Sequence, residues 1–182
     1  MGLDMYLHRK TYVKNWQHMK PEELHEITIK KGGKVRKDIK KERICEIVEE
    51  VGYWRKANAI HNWMVQNIQN DIDNCGDYYL SEEKMKELLE TIEEILSKSK
   101  LVEGKVTNGY QFTKGGGKEP ILEDGRFIAN SSVADDLLPA TGGFFFGSTD
   151  YDEYYIDTLK YTKNVLEKAL EEEGEYYYSS SW

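Results

Sequence analysis

The chain has 182 residues, 39% of them hydrophobic and 32% charged, with a net charge of −8. That length suffices for one domain with its own core, and no apolar run reaches the ~20 residues of a membrane span. The charge is unevenly spread: through Arg43 there are twelve Lys and Arg against six Asp and Glu, a net of +6, whereas the remainder holds thirteen against twenty-seven, a net of −14. A mostly acidic surface repels phosphates, so direct nucleic-acid binding is not expected.

In chain order, Leu3, Met5 and Leu7 alternate with Asp4, Tyr6 and His8, the pattern of a half-buried strand. The opening lacks a charged leader followed by an apolar block, so no signal peptide is expected. Tyr6 stands where a myristoylation motif needs Ser or Thr. Residues 16–23 form a polar connection. Two short segments, 26–30 and 35–39, flank Lys31-Gly-Gly-Lys34 and predict a basic hairpin, because Gly-Gly supplies positive φ. Residues 42–50 carry Ile44, Ile47 and Val48 at helical spacing, with a β-branched composition that leaves a strand open.

After Gly52, the stretch VGYWRKANAIHNWMV predicts a helix from about Trp54. At ~100° per residue, Trp54, Ala57, Ile60, His61 and Met64 share its apolar face. Arg55 and Trp63 fall on edges left free for a partner. Residues 67–80 read as a loop. Ser81 caps a helix whose stripe is Met85, Leu88, Leu89, Ile92, Ile95 and Leu96. Strands are predicted over 102–113 and 126–129, a turn or short helix over 135–139, and an aromatic strand over Gly143-Phe-Phe-Phe-Gly147. Asp150 is the expected N-cap of the last helix, Gly174 its end, and 176–182 a closing strand. Strands and helices alternate only in part, which predicts a single α+β domain over residues 1–182, a mostly antiparallel sheet against about three helices.

Three constellations carry chemistry. Asp71, Asp73, Gly76 and Glu82 match the spacing of a calcium loop at four of five defining positions, with Cys75 placing soft sulfur at the fifth. Ser81 and Glu82 serve equally well to start the next helix. The two cysteines, Cys45 and Cys75, make no disulfide framework, which suits a reduced, cytoplasmic protein. Neither they nor the four histidines have zinc-ligand spacing, and no cofactor is expected. His61 is either a core histidine or a general base. In the second case Asp150, Asp152 and Glu153 are its candidate partners in a small enzyme or nucleotide-binding protein. Phosphate-loop and nucleophile-elbow motifs are absent from the sequence.

The acidic surfaces are the third constellation. Glu83, Glu87, Glu90 and Glu94 lie within about 40° of one another on the helix from Ser81, opposite its apolar stripe and over about 16 Å of axis. Glu167, Glu171, Glu172 and Glu173 crowd a helix C-terminus, where negative charge opposes the dipole. Both sets are either solvated surface or an anionic ridge offered to a basic groove on a partner.

The segments MGLDMYL, YWRKANAIHNW, TGGFFFGSTDYDEYY and YYYSSSW, spread over the whole chain, resemble a family of small proteins of phages and mobile elements. The chain is similar in length and character to the type II-A anti-CRISPR proteins that inhibit Cas9. The resemblance implies binding to Cas9, alone or with its guide RNA, and interference with target DNA. It implies no particular residues, so the contact candidates remain Arg55, Trp63 and the two glutamate sets.

Overall fold

A computed structural model describes residues 2–143 and 146–182, with the backbone alone of Lys118. The alternation at the N-terminus forms β1 (Asp4–Tyr12), with Met5 and Leu7 fully buried and Tyr6 and His8 on the opposite face. β1 pairs antiparallel with β4 (Glu46–Arg55), and the two make one long hairpin. Residues 13–45 form its distal loop and hold most of the basic excess. Within that loop, β2 (Lys30–Lys31) and β3 (Lys34–Val35) pair for only two residues each, shorter than expected. The turn is as the sequence implies, with Gly32 and Gly33 at φ of +56° and +78°.

β-Branched composition prevails over helical spacing in residues 46–50, which are strand. Trp54 and Arg55 also belong to β4, and Lys56, at φ +57°, turns the chain into α1 (Asn58–Ile68). The helix therefore starts four residues later than the periodicity suggests. Val51 is an extra residue in β4, since Leu7 faces Gly52 while His8 faces Glu50. A Cβ on Gly52 would lie 2.8 Å from the Trp54 ring and 2.9 Å from Val165. The glycine thus admits a close approach of helix to strand rather than interrupting an element.

β5 (Tyr78–Tyr79) leads into α2 (Glu82–Lys98), whose cap is as expected: Ser81 Oγ accepts from Lys84 N at 3.2 Å. β6 (Leu101–Phe112) and β7 (Lys118–Ile128) form a separate two-stranded ribbon, longer in its second strand than the sequence suggests. Both of its strands are edges, so Pro120 displaces no inner ladder bond. α3 (Ser132–Leu137) is a short helix that begins three residues before the segment expected to hold a turn or short helix. Phe144 and Phe145 of the expected aromatic strand lie outside the described residues, and Gly143, Phe146 and Gly147 are not in a strand. α4 (Glu153–Glu171) is capped by Asp152, not Asp150: its carboxylate accepts from Tyr155 N at 3.0 Å. β8 (Glu175–Ser181) closes the sheet, whose order is β4-β1-β8-β5 with antiparallel neighbours throughout.

One face of this sheet supplies Leu3, Met5, Leu7, Trp54, Tyr176 and Tyr178 to a core shared with all four helices. α2 and α4 pack on each other, Lys163 of α4 reaching Glu93 of α2. Trp54 donates its indole N–H to Thr162 Oγ1 at 2.8 Å, anchoring α4 to β4. The result is the expected α+β single domain. Among the described residues, no helix is long and apolar enough to cross a membrane.

Candidate functional site

The stripe that buries Met85, Leu88, Ile92 and Ile95 of α2 leaves Glu83, Glu87, Glu90 and Glu94 exposed on its solvent side. Glu87 pairs with Lys84 and Glu94 with Lys98, both at 2.6 Å. Glu83 and Glu90 have no ion-pair partner among the described residues. Such exposed pairs contribute little to stability and open at little cost, so the row can be offered to a partner without loosening the fold.

At the C-terminal end of α4, Glu167 pairs with Lys163 and Glu172 with Arg9, which also binds Glu49. Glu172 thereby ties α4 to the sheet. Glu171 and Glu173 are exposed and lack ion pairs among the described residues. The start of α2 lies beside this end of α4, and together they enclose a notch of about 310 Å³. Buried Leu80, Met85 and Ala169 lie at its base, while Glu82, Glu171 and Glu173 stand at its rim. An apolar floor under carboxylates suits a Lys or Arg side chain, with the stem on the floor and the charged head at the rim. Glu82 at the start of α2 and the glutamates that end α4, far apart in sequence, thus meet at one acidic notch.

Arg55 is exposed as expected, but from the end of a strand, where its carbonyl accepts the Tyr154 hydroxyl. Trp63 is a correction: it is only 6% exposed and belongs to the core. The periodicity puts it on a solvent edge, but that edge is covered in the fold. With Asn58, Ala59, Ile60, His61 and Met64 also buried, α1 is enclosed on most sides. Trp63 cannot be a contact in this fold.

His61, 2% exposed, is held at both ring nitrogens. Nδ1 lies 2.7 Å from the Tyr178 hydroxyl and Nε2 lies 3.0 Å from Asp73 Oδ2. The carboxylate can only accept, so Nε2 carries hydrogen and donates to it, while Nδ1 shares a hydrogen bond with the phenol. Burial holds the Tyr178 phenol well above its ordinary pKa, which keeps the phenol proton in place. Phe146 packs edge-on against the imidazole with centroids 5.3 Å apart. Neither nitrogen is available to a substrate.

The acids considered as partners for His61 have other duties. Asp150 accepts from Thr107 N at 3.3 Å, Asp152 caps α4, and Glu153 pairs with Arg126. Burial raises the Asp152 carboxyl above its usual value, opposed by the helix N–H groups. The cavity that Asp150 and Asp152 line has a volume of about 30 Å³, which holds one water and no nucleotide. The enzyme reading therefore lacks both a free base and a substrate space at these residues.

The calcium reading fails as well. Asp73 gives one oxygen to His61 and the other to the Trp182 indole, and Glu82 pairs with Lys86. No group of three or more metal-binding side chains occurs among the described residues. The spacing in the sequence reflects a clamp to His61 and an ordinary helix start. Sequence reasoning missed the clamp because its members come from α1, a loop and β8; the polar Asp73 beside a buried histidine was the available signal.

No protein-family model matches the chain, and neither a curated protein nor a solved structure matches it.

Proposed function

We propose that this chain is an inhibitor of the anti-CRISPR kind, acting in the cytoplasm of a bacterial host by binding the type II-A Cas9 nuclease and interfering with target-DNA binding or cleavage. The observation that carries the reading is the exposure of Glu83, Glu87, Glu90 and Glu94 as one row on α2. Cas9 holds nucleic acid in positively charged channels and reads a short duplex motif with arginines. A row of carboxylates on a rigid helix fits such a surface in place of phosphates, and at the same time keeps this chain off DNA itself. The four sequence segments that resemble small proteins of phages and mobile elements, together with the chain's similarity in length and character to the anti-CRISPR proteins, support the same partner. Arg55 is kept as a peripheral contact, and inhibition proceeds by protein–protein contact without chemistry.

The test is capture of purified Cas9 by the immobilised chain, with and without guide RNA, across a salt series. Capture that weakens as salt rises is expected from screened charge–charge attraction. Absence of capture at low salt would overturn the reading, and salt-independent capture would overturn its electrostatic basis.

A further inference from the structure

The sheet face turned away from the helices carries an aromatic band that crosses all four strands. Tyr6 and His8 of β1 stack in parallel, 5.9 Å apart at 4° between planes. Tyr53 of β4 lies 5.4 Å from Tyr6, Tyr177 of β8 is registered opposite His8, and Tyr79 of β5 lies 5.7 Å from Tyr177. Tyr53 and Tyr79 are 40% and 56% exposed. Alternation forces this arrangement: once Met5, Leu7, Trp54 and Tyr178 face the core, their neighbours must face out.

The charge around the band selects its occupant. Asp4, Glu46, Glu50, Asp77 and Glu175 project on or beside this face, against Arg55 and Lys10. Lys10 is already spent: its ammonium sits 3.8 Å over the Tyr177 ring and bonds Asp77. That internal contact shows the chemistry the face favours, a cation on a phenol ring closed by a carboxylate. An excess of carboxylates disfavours the phosphates of a single-stranded nucleic acid, the other common occupant of an aromatic sheet. Partly exposed ring faces such as those of Tyr53 and Tyr79 favour guanidinium over ammonium, because Arg stacks as well as pairs. Tyr79 also borders the acidic notch between α2 and α4, so the two surfaces are continuous.

We propose that this open sheet face docks an arginine-bearing segment of a protein partner, with guanidinium groups stacked on Tyr53, Tyr6 and Tyr79 and paired by the surrounding carboxylates. The proposal extends the acidic-surface reading to a second face, and its test uses a peptide so that the outcome does not depend on Cas9.

The probe is a capped glycine–arginine heptapeptide with three arginines, titrated into the full chain by calorimetry. The comparison probes are its lysine counterpart and an oligothymidylate of eight nucleotides. The arginine peptide should bind more tightly than the lysine peptide. Replacing Tyr53→Ser and Tyr79→Ser together, at two exposed positions, should weaken it ~10-fold or more. Reversing Glu83, Glu87, Glu90 and Glu94 should change it by less than about threefold, the difference expected of charges on another face. Tyr ring resonances of the unsubstituted chain should shift on titration, which keeps the test open if the double variant unfolds. Unchanged affinity in a folded tyrosine variant, loss of binding on ridge reversal, unmoved tyrosine resonances, or tighter binding of the oligothymidylate would each overturn the proposal.

Discussion

Trp182 donates its indole N–H to Asp73 Oδ1 at 3.2 Å, across 109 residues of sequence. The other oxygen of the same carboxylate takes the His61 ring. One side chain thus joins α1, the loop after it and the end of β8. Asp73→Ala should destabilise the fold by about 1–3 kcal/mol, because the buried imidazole N–H loses its acceptor. His61→Ala should cost about 3 kcal/mol, since it adds a cavity beside Phe146 and strands the Tyr178 hydroxyl. Urea unfolding of both variants measures this. A His61→Ala protein of undiminished stability would rule out the clamp.

Trp63 and Arg55 should part company in mutagenesis. Trp63→Ala removes a side chain that is 6% exposed and should cost about 3–5 kcal/mol. Its effect on partner binding should follow the folded fraction and disappear where the variant is fully folded. Arg55→Glu should leave the melting temperature unchanged while altering binding to an acidic or basic partner. Paired melting and binding curves distinguish the two; a folded Trp63→Ala protein that has lost binding would restore Trp63 to the interface.

Alkaline pH should unfold the protein through its buried phenols. Burial, aided by Asp135, pushes Tyr151 up to about 12, and burial moves Tyr155 and Tyr178 in the same direction. A phenol whose folded pKa is raised contributes stability that is complete below its unfolded pKa of about 10 and is lost as pH rises through the folded value. Unfolding midpoints should therefore hold up to about pH 10 and fall steadily towards pH 12. Tyr151→Phe, which removes one ionisation, should shallow that fall. A flat midpoint over the same interval would contradict the burial assigned to these rings.

The strands with strict alternation and the helices with full apolar stripes were legible from sequence: Leu3–Leu7, Met85–Leu96 and the closing aromatic strand lie where expected. Short-range pattern failed where a tertiary contact decides. Trp54 obeys helical spacing, but its indole is fixed to Thr162 from within a strand, and Trp63 is buried because α1 is enclosed on most sides. The acidic row on α2 was legible because it needs only one helix. The notch between α2 and α4, the His61 clamp and the aromatic band each combine elements distant in the chain, and no local period reveals such meetings. Asp152 displaced Asp150 as the cap because the cap is set by the first helical turn, which begins two residues later than the sequence implied.

In the proposed function, the carboxylate row on α2 contacts Cas9. The most direct test of that contact is a DNA-cleavage assay with Cas9 and guide RNA, comparing the unsubstituted chain with one carrying Glu83→Lys, Glu87→Lys, Glu90→Lys and Glu94→Lys together. All four side chains are exposed, so the variant should fold and melt close to the parent. It should need ~10-fold or more protein for the same inhibition, as expected when an interfacial charge pattern is reversed. Full inhibition by the folded variant at the parent's concentration would contradict the claim.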